Sequence, residues 1–134
     1  MKNVSVKTEL IVKAVTLFII ALFILLEILL AFTPPVARDV LIHHLAIPKL
    51  WLVHGGFYET PWAGFSYYPM NLSLLYLVPL YFGNDILPNF IHLGFGLGTA
   101  LLLYFYLNKK AGRLAGLLGA LMFISLPTIL RTAT

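Results

Sequence analysis

A short polar segment, Arg38-Asp39 followed by His43-His44, contains the residue types best suited to chemistry. On a helix, Asp39 and His43 are four residues apart and share a face, so a carboxylate–imidazole contact is available. Such a pair serves as a general base or binds a divalent cation. The alternative is structural, with Asp39 capping a surface helix and the histidines lying at a membrane surface. The spacing alone favours the structural alternative.

A metal site at this pair needs more ligands than the segment supplies. Four ligands require His54 or Glu59 to fold back toward Asp39. The absence of cysteine excludes disulfides, Cys-ligated zinc and iron–sulfur clusters. We find no nucleophile triad, zinc-protease motif or phosphate-binding loop. We therefore predict no cofactor from these residues. A divalent cation is the one ligand of this kind that they could bind.

Glu27 is a second candidate because it lies within a long apolar run. An acid inside a membrane span is a functional candidate by default. Glu27 is also near the end of its run, where a carboxylate reaches water or Arg38. The functional and structural interpretations are about equal.

Paired glycines recur at small-xxx-small spacing, at Gly94/Gly98 and at Gly112/Gly116. The first pair looks superficially like a phosphate loop, but it follows no strand and no Lys-Ser/Thr comes after it. Small residues at this spacing let helices approach closely within a membrane. These pairs predict helix–helix association.

The composition shows what environment these residues need. The chain has 134 residues, of which 60% are hydrophobic and 10% charged, with a mean hydropathy of +0.94. A soluble domain has roughly a quarter of its residues charged. The nine Lys and Arg, against five Asp and Glu, lie beside apolar runs and form no basic patch. The expected partner is a lipid bilayer, and no nucleic acid is expected.

Three apolar runs have lengths that suit a bilayer core of about 30 Å. They predict an all-α polytopic protein with transmembrane helices over about 14–32, 86–107 and 114–130. A signal peptide is the alternative for the first run, but its apolar core is only about 7–15 residues long. Pro34 and Pro35 should end this helix.

The segment 33–85 mixes polar, aromatic and apolar residues. Residues 38–53 have helical character, interrupted at Pro48 and ended by Gly55-Gly56. Residues 70–82 are apolar, but 13 helical residues rise only about 20 Å, which is too short to cross. We expect amphipathic helices lying at the membrane surface.

Basic residues predict the topology, because Lys and Arg near membrane ends favour the cytoplasm. The amino-terminal tail has three, residues 108–113 have three, and the long loop has only Arg38 and Lys49. Two crossings between the basic clusters place both in the cytoplasm and the loop 33–85 outside. If 70–82 also crosses, the protein has four spans and the basic turn faces outward.

The order of residues in this loop resembles a known family. The loop reads Asp39-Val-Leu-Ile-His43-His44-Leu-Ala-Ile-Pro48-Lys49-Leu-Trp51-Leu, then Gly55, then Ser66-Tyr-Tyr-Pro69. This order resembles the first extracytoplasmic loop of bacterial GT-C membrane glycosyltransferases. The resemblance is to the family 39/83 type, related to protein O-mannosyltransferases and to the aminoarabinose transferase of lipid A. His43 stands where the family usually has tyrosine.

The resemblance implies transfer of a sugar from a polyprenyl-phosphate carrier to an extracytoplasmic acceptor. It implies that Asp39 is catalytic, as a base toward the acceptor. Arg38, His43, His44 and Lys49 are then the candidates for substrate binding, with the cations stabilising the departing phosphate.

The family's proteins run to several hundred residues, with a second acidic site soon after the position of Pro127. We therefore expect residues 1–134 to be the amino-terminal part of such an enzyme, inactive alone. The alternative is a small non-enzymatic membrane protein that self-associates through its glycines or acts as an accessory subunit.

Overall fold

The computed structural model describes residues 2–67 and 70–127, which are mostly helical and contain no strand. Five α-helices occur in chain order, together with a π-helical segment, Val40–Leu45, and a 3-10 turn, Gly64–Tyr67. The α-helices are α1 (Lys2–Ala31), α2 (Ala46–His54), α3 (Asn71–Tyr81), α4 (Leu87–Ala111) and α5 (Arg113–Ile124). The all-α prediction is confirmed.

Two helices, over Val6–Ala31 and Leu87–Ala111, are long and apolar enough to cross a membrane. The predicted third span is not confirmed. α5 has 12 residues and ends at Ile124, a rise of only about 18 Å, and residues 128–130 of that span lie outside the described residues. Pro127 follows closely, and proline is common just after a helix because it cannot continue one.

α1 is longer than the predicted first span. It extends toward the amino terminus through Lys7 and Lys13, where the Lys13 ammonium pairs with Glu9 at 2.5 Å. Such i,i+4 pairs, and the good helix propensity of lysine, stabilise an exposed helical extension. The helix ends at Ala31, before the two prolines, as expected.

Glycine and asparagine mark the ends of the shorter helices. Gly55 adopts a left-handed conformation, its N–H donates to Leu52, and the Gly56 N–H donates to Trp51 at 3.0 Å. This is a Schellman motif, which satisfies the last carbonyls of α2. At the start of α4, the Asn84 side chain accepts from the backbone N–H of Leu87 at 2.9 Å.

Two sequence expectations about helix connections are corrected. The helix expected to break at Pro48 continues through it, and the irregularity is the π-helical segment just before α2. Pro48 is the third residue of α2, three residues after the π-helical segment ends at Leu45. The basic turn expected at 108–113 is reduced to Gly112, because Lys109 and Lys110 extend α4. Gly112 has a φ of +89°, which suits glycine.

The described residues divide into two compact units. One contains residues 2–30 and 92–127, and the other contains 31–67 and 70–91. In the second unit, α2 and α3 pack against the π-helical segment around Leu45, Tyr76 and Leu80. Burial raises the pKa of the Tyr76 phenol above its ordinary value. This unit contains every residue predicted for the catalytic or substrate-binding site.

Candidate functional site

Asp39 lies at the entrance to the π-helical segment. Its backbone is already helical, with φ −65° and ψ −44°, and its side chain makes no capping hydrogen bond. The carboxylate side chain is 78% exposed. Asp39 is therefore not used as a helix cap, and its carboxylate is accessible to a ligand.

The predicted carboxylate–imidazole pair is present. His43 Nε2 lies 3.7 Å from Asp39 Oδ1, and the histidine side chain is only 15% exposed. The distance is longer than a hydrogen bond. Catalytic hydrogen bonds often tighten only when the substrate binds. The imidazole is mostly covered, while the carboxylate beside it faces solvent.

A cavity of about 460 Å³ opens beside this pair. Arg38, Asp39 and His43 line one side, and Trp62 with its two following residues lines the other. A turn holds the second side in place, because the Ala63 N–H donates to the Thr60 carbonyl at 2.9 Å. The cavity thus combines a carboxylate, a guanidinium, an imidazole and an indole.

Sequence reasoning did not select Trp62. It lies 23 positions after Asp39, in a segment predicted only as loop, so no helical or strand periodicity links the two. The available signal was a tryptophan in the segment between two predicted helices, since aromatic residues are enriched at binding surfaces. Trp62 is 67% exposed.

His44 and Lys49, the other two predicted binding residues, have partners elsewhere in this unit. His44 Nδ1 lies 3.2 Å from the hydroxyl of Ser73, a buried residue of α3. Lys49 Nζ donates to Asp85 Oδ2 at 2.7 Å. Neither lines the cavity beside Asp39. Both contacts join residues distant in sequence: His44 contacts α3, and Lys49 of α2 contacts the bend that precedes α4.

The acidic and histidine residues considered for a metal site near Asp39 do not form one. Within residues 2–67 and 70–127, no three His, Asp or Glu side chains are grouped so that they could hold an ion. His54 instead stacks on Tyr58, with ring centroids 4.0 Å apart, and its Nδ1 lies 2.9 Å from the Leu50 carbonyl.

A second cavity in this unit, of about 480 Å³, is mainly aromatic. Trp51, Tyr58 and Tyr67 line it, together with the exposed carboxylate of Glu59. Trp51 is held edge-on to Phe57 with centroids 4.8 Å apart. This cavity contains no residue selected from the sequence as catalytic or substrate-binding.

Glu27, the acid in the apolar run of α1, is 1% exposed. The expectation that its carboxylate reaches water is therefore wrong. Its Oε1 has no hydrogen-bond partner among the described residues. Glu27 lies on the α1 face that also contains the buried Thr16 and the half-buried Ile20 and Ile24, because 3.6 residues complete each turn.

The glycines of α4 and those of α5 have different surroundings. A Cβ at Gly94 or Gly98 would meet no atom within 4 Å, and both residues are exposed. A Cβ at Gly116 would lie 2.8 Å from the Tyr104 carbonyl oxygen of α4, and one at Gly119 would overlap the Leu107 side chain. Gly116 therefore serves the packing of α5 on α4, and the Gly94/Gly98 face is open.

In comparisons with known proteins, no family model, curated protein or solved structure matches the chain.

Proposed function

We propose that this chain forms part of a membrane glycosyltransferase that moves a sugar from a polyprenyl-phosphate carrier to an extracytoplasmic acceptor. The observation that carries the proposal is the cavity in which the Asp39 carboxylate and the Arg38 guanidinium are both accessible. A base and a phosphate-binding cation are the two groups that such a transfer needs on the protein.

The chemistry assigned to each residue follows from its charge and position. Asp39 removes the proton from the acceptor hydroxyl as the new bond forms between that oxygen and the anomeric carbon. The bond between the anomeric carbon and the phosphate oxygen breaks, and Arg38 stabilises the anionic polyprenyl phosphate that leaves. His43 is a positioning residue, because its buried ring lies beside Asp39 Oδ1 and restricts the carboxylate.

The local backbone supports this assignment. Single π-helical turns within α-helices occur frequently at functional sites, and Val40–Leu45 immediately follows Asp39. Trp62, on the opposite side of the cavity, offers a flat apolar face beside these polar groups. The exposed aromatic ring and the carboxylate together suit a ligand with both apolar and hydroxyl surfaces.

The test is a transfer assay in native membranes that contain the chain, with polyprenyl-phosphate hexoses and pentoses labelled in the sugar. We expect Asp39→Asn to lower transfer by about 10²–10⁴-fold, the usual contribution of a general base. Glu59→Gln is the matched control, because it also replaces an exposed carboxylate by its amide in the same loop. This variant should retain transfer. Full transfer by the Asp39→Asn variant removes Asp39 from the mechanism.

The open Gly94/Gly98 face favours a second candidate function, a self-associating or accessory membrane protein. Blue-native electrophoresis of the Gly94→Ile and Gly98→Ile variants tests it, and both should shift an oligomer toward monomer. Gly96→Ile is the control, because Gly96 lies on the opposite side of α4. An unchanged species in all three variants counts against association through this face.

A further inference from the structure

The unit that contains residues 2–30 and 92–127 encloses an apolar groove of about 400 Å³. Its lining extends from Leu17 to Ile24 on α1, from Leu97 to Tyr104 on α4, and from Arg113 to Ile124 on α5. Apart from Arg113 and the Tyr104 hydroxyl, its lining side chains are hydrocarbon. The groove therefore suits an apolar chain with a polar group at one end.

The helix geometry places the charged group at an end of the groove. On α5 the lining residues are Arg113, Leu117, Ala120 and Ile124, which are spaced so that they share one face. The eleven steps from Arg113 to Ile124 span about 16 Å. Arg113 begins α5 and is exposed, so its guanidinium lies where the helix begins.

The charged residues close to Arg113 in the sequence all have one sign. Lys109 and Lys110 form the last turn of α4, and only Ala111 and Gly112 separate them from Arg113. The sequence contains no Asp or Glu from Ile86 to its last residue. No carboxylate in that part of the chain neutralises these three cations, and an anionic ligand group complements them.

We propose that this groove binds an acyl chain of an anionic phospholipid, with the headgroup phosphate at Arg113. Basic pockets between transmembrane helices are suited to acidic lipid headgroups, and guanidinium groups bind phosphate through paired hydrogen bonds. The hydrocarbon lining accepts the acyl chain. The proposal does not depend on glycosyl transfer, because it uses neither Asp39 nor the cavity beside it.

Native mass spectrometry of the full chain in detergent tests the headgroup contact. Phosphatidylglycerol and phosphatidylcholine with identical acyl chains are titrated, and phosphatidylglycerol should be retained preferentially. Arg113→Gln should weaken phosphatidylglycerol binding about fivefold, as expected for one cation near a lipid phosphate. Lys7→Gln is the control, because it removes the same charge from an exposed residue outside the groove.

A second pair of variants tests the groove itself. Ala120→Phe places a ring in the lining and should reduce phosphatidylglycerol binding, whereas Leu118→Phe, at an exposed residue of α5 outside the lining, should not. Circular dichroism checks that both variants remain helical. If Ala120→Phe loses helix, the comparison of Arg113→Gln with Lys7→Gln decides.

Three results would overturn the proposal. Equal affinity for the two lipids denies a headgroup preference, and equal losses in Arg113→Gln and Lys7→Gln indicate diffuse surface charge. A lipid-free dimer that Ala120→Phe dissociates shows that a second copy of the chain occupies the groove instead.

Discussion

At the scale of single residues, Asn89 shows how the second unit satisfies polar groups at the end of a helix. Its side-chain amide donates to the Ala31 carbonyl at 3.3 Å and to the Thr33 carbonyl at 3.2 Å. The last carbonyls of a helix have no intrahelical partner. Asn89 is buried, so one amide group fixes the carbonyls that end α1 and begin the following segment.

We expect Asn89→Ala to lower the free energy of unfolding by about 1–3 kcal/mol, because it removes the side-chain donor to the carbonyl of the buried residue Ala31. Asn71→Ala, at an exposed residue that begins α3, is the control and should change stability by less than about 0.5 kcal/mol. Thermal unfolding in detergent, followed by circular dichroism, measures both. Equal losses in the two variants would contradict a special role for Asn89.

At the scale of elements, α5 packs on α4 through a small residue, Gly116, whereas the small residues Gly94 and Gly98 of α4 take no part in this packing. A Cβ at Gly116 would meet a backbone carbonyl of α4, while Gly98 on α4 faces open space. In the sequence, Gly98 and Gly116 are members of two equally spaced glycine pairs and cannot be told apart. Their opposite environments predict substitution effects of opposite sign.

Gly116→Ala should destabilise the α4–α5 pair by about 1–3 kcal/mol, because the added methyl meets a backbone carbonyl that cannot move alone. Gly98→Ala should instead stabilise α4 by up to about 1 kcal/mol, since alanine has the better helix propensity. Thermal unfolding of the two variants in the same detergent compares them. A stabilised Gly116→Ala variant would show that α5 does not pack on α4 through this residue.

At the scale of the whole molecule, residues 2–67 and 70–127 include two helices of spanning length and, after them, the short apolar helix α5. The distribution of Lys and Arg predicts that the amino terminus and the end of α4 face the cytoplasm and that the loop 33–85 faces outward. Because the sequence contains no cysteine, single cysteines report accessibility without background.

We expect a membrane-impermeant thiol reagent, added outside intact cells, to label Glu59→Cys and not Lys7→Cys or Lys109→Cys. All three positions are exposed, so the membrane alone decides their access. Labelling after permeabilisation is the control for reactivity. Labelling of Lys109→Cys together with Glu59→Cys from outside would instead support the four-span topology, in which residues 70–82 cross.

Local sequence features predicted several of the helix ends. The end of α1 before Pro34, the end of α2 at Gly55 and the bounds of α3 depend on backbone geometry within a few residues. Proline and glycine restrict or permit that geometry by themselves. The same holds for the Asp39/His43 contact, because residues four apart on a helix are neighbours whatever surrounds them.

Contacts between distant residues were not predictable in this way. Trp62 lines the cavity beside Asp39, and Lys49 pairs with Asp85 across 36 positions. The burial of Glu27 was also missed, since its place near the end of an apolar run predicted access to water. Such features depend on which helical faces meet, and hydrophobic periodicity does not specify the partner of a face.

The sequence by itself thus determined the helical class and two of the three predicted spans among the described residues, because length, hydropathy and helix-ending residues act locally. Only the tertiary structure decided which polar groups share a cavity, which glycines are packed and which are open, and that Arg113 lies beside an apolar groove. Those outcomes arise from close packing, in which each side chain's surroundings are supplied by residues far away along the chain.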